Sequence, residues 1–247
     1  AGNTAVGYQC LDANTTAAGN TAVGNVALGA NTTGASNTAV GSLTLDANTT
    51  ASNNTGVGYQ ALSANTTGAG NTAVGKDALA VNTTAGNNVA VGWLAMTSNS
   101  TGAANVAVGR SALGANTTAS DNIAIGHIAL GSNTTGASNT AVGYTALTAS
   151  TTAGNNTAVG HRALTSVTTG AQNTAIGKDA GDVITTGDSN ICIGRESDPS
   201  ANNTSEIVIG NSVTGKGDNT GFIYPPGGGS MYQGSNATAW AQTSDER

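Results

Sequence analysis

Side chains able to do chemistry are few in this chain and widely spaced. Hydrolysis of a sugar polymer needs two carboxylates flanking one bond. Asp12, Asp46, Asp77 and Asp121 are scattered over distant stretches, and Asp179, Asp182, Asp188, Glu196 and Asp198 cluster late without a supporting acid/base partner. Metal binding would fall to His127 and His161, which have no nearby Cys or carboxylate pattern resembling a metal site. Cys10 and Cys192 occupy positions that Ala holds elsewhere, so they read as small hydrophobes, too far apart for a disulfide. What remains are the rings of Tyr8, Tyr59, Trp93 and Tyr144, able to meet a sugar or a surface protein. Neither a P-loop nor a nucleophile elbow is present. The expectation is a protein with no enzymatic activity, no cofactor and no metal.

The elements that carry those rings follow from a repeat. Gly7, Gly24, Gly41 and Gly58 open a series spaced by 17 residues that runs to Gly194, then slips to 16 at Gly210. Only 8% of residues are charged and 3% aromatic, and the apolar 38% is mostly Ala and Val, so a thick globular core cannot form. A fixed register of apolar columns also separates the chain from disordered sequence of similar composition.

Each repeat reads as one coil of a stack. Val6, Val23, Val40 and their equivalents precede the glycine, and the residue two earlier is always β-branched, from Thr4 to Ile207. Alternation along a strand puts these two columns on one face, expected to be the core. The small column between them, Ala5, Ala22, Ala39 and onward, is expected to face outward. Its uniform smallness predicts a second cover, most simply another copy of the chain. The Leu column, Leu11 through Leu164, predicts a second, weaker strand in each coil. Asn20, Asn37 and Asn71 belong to a column expected to form an amide ladder, and Thr33, Thr50 and Thr67 to a second polar ladder.

The fold class expected is all-β: a parallel β-solenoid of about 12 coils over residues 1–210, homotrimeric, with a cap or connector over 211–247. At roughly 4.8 Å per coil, twelve coils would span roughly 55 to 60 Å. The exposed corner of each coil is the pair after the glycine, which places Tyr8, Tyr59, Trp93 and Tyr144 there. A net charge of −6 with 7 basic residues argues against nucleic-acid binding. No apolar run is long enough to insert into a membrane as a helix. The chain starts inside a repeat and without Met, which predicts a piece of a longer protein.

NTAVG and its small-residue coils, from residue 3 to about 210, resemble the NSVAIG-type head repeats of trimeric autotransporter adhesins, although those repeats are shorter than 17. The resemblance implies a trimer of parallel β-rolls. The terminal Ala241-Gln242-Thr243-Ser244-Asp245-Glu246-Arg247 resembles the entry to the endosialidase-type intramolecular chaperone of phage tail fibres and tailspikes, whose members read SD-x-R and continue with Leu-Lys. That resemblance implies self-cleavage between Ser244 and Asp245 after the chaperone has assembled the trimer; this sequence stops at Arg247.

Together they imply an extracellular phage tail-fibre segment that attaches to a host-surface glycan or protein. The alternative is a bacterial trimeric surface adhesin. An ice-binding solenoid, ordering water on its Thr columns, ranks lower, because Val89, Val106 and Ile191 interrupt the Thr4 column and suggest burial.

Overall fold

The computed structural model describes residues 2–200, 202–225, 230–234 and 241–243. No helix occurs among them; the chain is a parallel β-solenoid of about 13 coils. It forms two compact units, Ala1–Ile128 and Ala129–Arg247. In the first, β1 (Thr4–Val6), β2 (Thr21–Val23), β3 (Thr38–Val40), β4 (Thr55–Val57), β5 (Thr72–Val74), β6 (Val89–Val91), β7 (Val106–Val108) and β8 (Ile123–Ile125) each pair in parallel with the next. The pairing joins equivalent residues, Thr21 to Thr38 and Val23 to Val40. Glycine ends every strand for a steric reason. At Gly92, φ is +137°, and a Cβ there would sit 2.6 Å from the Gly109 carbonyl oxygen of the next coil.

The second unit repeats the pattern in β9 (Thr140–Val142), β10 (Thr157–Val159), β11 (Thr174–Ile176) and β12 (Ile191–Ile193), which pair in parallel in turn. After these come β13 (Ser197–Asp198), β14 (Ile207–Ile209), β15 (Val213–Thr214) and β16 (Gly221–Ile223). β14 and β16 extend the main ladder, while β13 pairs with β15. β17 (Ser230–Gln233) and β18 (Ala241–Thr243) then turn antiparallel.

The two strand faces are the reverse of those expected. The Ala column points inward: Ala22, Ala39, Ala73, Ala90, Ala107 and Ala124 are fully buried, as are Ala141, Ala158, Ala175 and Cys192. The Thr and Val columns point outward and are half-buried or exposed. The reason is thickness. The lumen already holds the buried Leu column and two buried Asn columns, so in the coils that keep the Leu only a methyl group fits from the strand side, and the larger Cys192 and Val208 come after the Leu is lost. One coil shows the constraint directly. Gly56 stands where Ala is usual, and a Cβ there would lie 2.6 Å from the Thr44 Cγ2, Thr44 itself replacing the smaller Ala27 of the coil before.

The expected second strand is absent as well. Leu28, Leu45, Leu62 and Leu79 have φ of 52 to 55°, as part of a left-handed turn, and each is fully buried. That backbone costs a non-glycine residue roughly 1–2 kcal/mol. Burying a Leu side chain contributes roughly 1.5–3 kcal/mol in return. Coil-to-coil bonds such as Leu45 N–H to Ala61 O, 3.1 Å, hold the turn in place. Gly181, the residue that replaces Leu late in the chain, keeps the turn with φ +63°, and Ile184 fills the space the Leu would occupy.

Asparagine supplies two buried ladders. In the expected column, the Asn20 Oδ1 accepts from the Asn37 backbone N–H at 2.9 Å, and the Asn20 Nδ2 donates to Gly34 O at 2.9 Å. This column therefore bonds mainly side chain to main chain, and in places also amide to amide as expected, the Asn105 Nδ2 donating to Asn88 Oδ1 at 3.2 Å and the Asn190 Nδ2 to Asn173 Oδ1 at 3.0 Å. A second amide ladder runs through the Asn of Asn-Thr-Thr: the Asn48 Nδ2 donates to Asn31 Oδ1 at 2.8 Å, and Asn65 to Asn48 at 3.0 Å. The hydroxyl ladder is displaced by one residue from the expected Thr33, Thr50 and Thr67, whose side chains are exposed. It runs through the preceding threonine, the Thr32 Oγ1 donating to Thr49 O at 3.0 Å.

The second Asn column ends at Ser150, whose buried Oγ has no hydrogen-bond partner. Leaving a hydroxyl unsatisfied costs roughly 1–3 kcal/mol. Ser150→Ala should therefore leave stability unchanged or raise it by about 1 kcal/mol, measured as a urea midpoint; a loss above that would contradict the assignment.

Candidate binding surfaces

Three surfaces carry the side chains singled out above. The first is the outward strand face, where every coil places a β-branched pair. In the first unit Val40 and Val74 are 37% and 36% exposed, and Ile123 and Ile125 39% and 40%. Scattered apolar residues need no explanation, but these recur on every rung at roughly 4.8 Å, making one contiguous stripe. Val89, Val106 and Ile191 belong to the same outward columns, so their presence does not signify burial.

The second surface is the corner after the glycine. Tyr8, Tyr59, Trp93 and Tyr144 are 69%, 46%, 46% and 51% exposed, each on a different coil. Three meet a partner one coil on. The Lys76 Nζ lies 5.9 Å from the Tyr59 ring centre, the Arg110 guanidinium 4.7 Å from Trp93, and His161 stacks on Tyr144 at 5.2 Å. The backbone beneath is fixed by bonds such as Asp77 N–H to Tyr59 O, 2.9 Å, and Ser111 N–H to Trp93 O, 2.9 Å.

No family model, curated protein or solved structure matches the chain.

The third group is the late carboxylates, each tied to a local structural partner. Asp179 lies 3.0 Å from Lys178 and 3.4 Å from Arg162; Glu196 lies 3.3 Å from Arg195 and accepts from Ser212 Oγ at 2.8 Å. Asp188 accepts from Ala171 N–H. Glu206, which stands in an Asn position and is fully buried, closes the end of the ladder. Its carboxylate accepts from the Ser200, Lys216 and Gly217 backbone N–H groups and from Ser200, Asn203 and Thr220 side chains.

Asp198 is the exception in energy. Burial, then the charge of Asp182, pushes its pKa up to about 6. A carboxyl raised in the folded state favours folding below its unfolded value and loses that contribution as pH rises through about 6. Asp198→Asn, which keeps an acceptor for the Asp182 N–H, should therefore gain melting temperature over wild type at pH 7 but not at pH 4. An equal shift at both pH values would contradict this.

Earlier in the chain, the structure brings Asp12 and Asp46 to one notch of about 280 Å³, where Gly29 supplies no side chain between them. Burial raises the Asp46 pKa. The two acids stand 34 residues apart, two repeats of 17, so they share one column with Gly29 between them. Among the described residues, no cluster of three or more His, Cys, Asp or Glu is placed to hold a metal ion. Burial pushes the Cys192 thiol up to about 12, which keeps it protonated and unreactive. No helix among the described residues is long and apolar enough to cross a membrane. Ser244 and Asp245 lie outside the described residues.

Proposed function

We propose that the chain is a segment of an extracellular attachment fibre, a homotrimer held through the outward strand face, that presents its coil corners to a host-surface glycan or protein. The observation that carries this is the unbroken outward stripe of Val, Ile and Thr. An apolar column repeated on every rung is a surface selected to be covered, and a copy of the same chain matches its repeat at every coil. The small Ala column fills the lumen and asks for no second cover, whereas the columns left open to solvent are the large β-branched ones. The adhesin-like repeats support a trimer, and the chaperone-like TSDER residues favour a phage tail fibre over a bacterial adhesin.

Thr72→Cys in a Cys10→Ala, Cys192→Ala background tests the interface. Facing copies bring equivalent thiols together, so mild oxidation should yield disulfide-linked dimers on a denaturing gel. Only monomer would contradict the arrangement. A second reading, ordering of ice, gains from the outward, in-register Thr columns, since Thr21, Thr38, Thr55 and Thr72 face solvent in consecutive coils. Thermal hysteresis would support it, and its absence would end it.

A further inference from the structure

The corner column is more selective than four aromatic rings suggest. In the first unit, five consecutive coils place Tyr59, Lys76, Trp93, Arg110 and His127 at this one position, and in the second, four place Tyr144, His161, Lys178 and Arg195. Every aromatic residue and both histidines of residues 1–210 lie on this column, with all the lysines and arginines there except Arg162. In the first unit both cations, Lys76 and Arg110, stand on this one column with the rings.

We infer that the ridge Tyr59–Lys76–Trp93–Arg110 of the first unit binds a linear acidic polysaccharide laid along the stack of coils. This extends the attachment reading by naming the class of ligand. Sugar rings offer C–H faces to Trp and Tyr, and their carboxylate or sulfate groups offer charge to Lys and Arg. Ring and cation alternate coil by coil, so a cation recurs every second coil, roughly 10 Å. That spacing suits a polymer charged on alternate sugars better than a nucleic acid, which is charged on every unit. The heads are also held ready. Trp93 stacks under Arg110 and Tyr59 under Lys76, while inter-coil backbone bonds fix the spacing. Lys76 has an acidic neighbour, Asp77 at 3.6 Å, but an exposed pair of this kind is weak enough for a ligand to displace. Arg110 is followed by Ser111, so no acid adjoins it in the chain.

The test uses the full chain on a sensor surface, with a polyuronate carrying a carboxylate on alternate sugars, its carboxyl-reduced neutral form, and single-stranded oligo(dT). Expected is saturable binding of the polyuronate that weakens as salt rises. Trp93→Ala and Lys76→Ala/Arg110→Ala should each weaken it by about tenfold or more, with melting temperatures unchanged because these side chains are exposed. Absence of polyuronate binding, equal binding of the neutral polymer, equal binding of oligo(dT), or full affinity in the variants would each overturn the proposal. Native mass measured on the same sample separates the two readings: a trimer that ignores the polyuronate removes the ligand and leaves the fibre.

Discussion

Replacing Asn71 by Ala is expected to destabilise the coil stack by roughly 2–4 kcal/mol, read from the urea midpoint. Asn71 Oδ1 accepts from the Asn88 backbone N–H at 3.0 Å, and its Nδ2 donates to Ala85 O at 2.9 Å. Truncation leaves the Asn88 N–H buried without its acceptor, and that orphan is the larger part of the cost. Ala85 O is protected from the same fate, because the second Asn column reaches it too: Asn82 Nδ2 donates to it at 3.0 Å. The two ladders share an acceptor. Asn71→Ala with Asn82→Ala should therefore cost more than the sum of the single changes, by about 0.5–2 kcal/mol, since only the pair strips both donors from Ala85 O. Strict additivity would show that the shared carbonyl finds another partner.

The second large effect concerns assembly. Val40→Glu with Val74→Glu adds two charges to the outward stripe at positions already more than a third exposed in the single chain. The chain itself should fold with a melting temperature close to wild type, while a face that must be desolvated between copies cannot accept unpaired carboxylates. The expected result is a folded chain of single mass. A variant that remains oligomeric would place the contact elsewhere; one that does not fold would be replaced by Thr38→Lys with Thr72→Lys on the neighbouring column, which carries the same expectation.

How far these residues could be read in advance differs by column. The period, the strand positions and the corner residues are all visible in the sequence, because a 17-residue spacing repeats too often to mistake and glycine marks the place where neighbouring coils come closest. The direction of the faces is not visible in the same way. Large β-branched residues usually mark a core, but here the lumen is so thin that Ala22 fills it and Val23 is turned out. Gly56 opposite Thr44 is the exchange of size that points to the correct face. The Leu turn was hidden for another reason: Leu45 carries no sign that its φ is positive, and Gly181 alone shows in sequence what that position demands. The column that opens at Asn14 is hard to read because two threonines of similar polarity follow each Asn, and nothing in the sequence marks the amides of Asn31 and Asn48 as the buried ones.

Static light scattering of the native chain, set beside a denatured control, decides whether copies of the chain cover the outward stripe. A homotrimer gives a native mass near three times the 23.7 kDa of the chain. A native mass equal to the denatured one would leave the Val and Thr stripe uncovered and contradict the fibre.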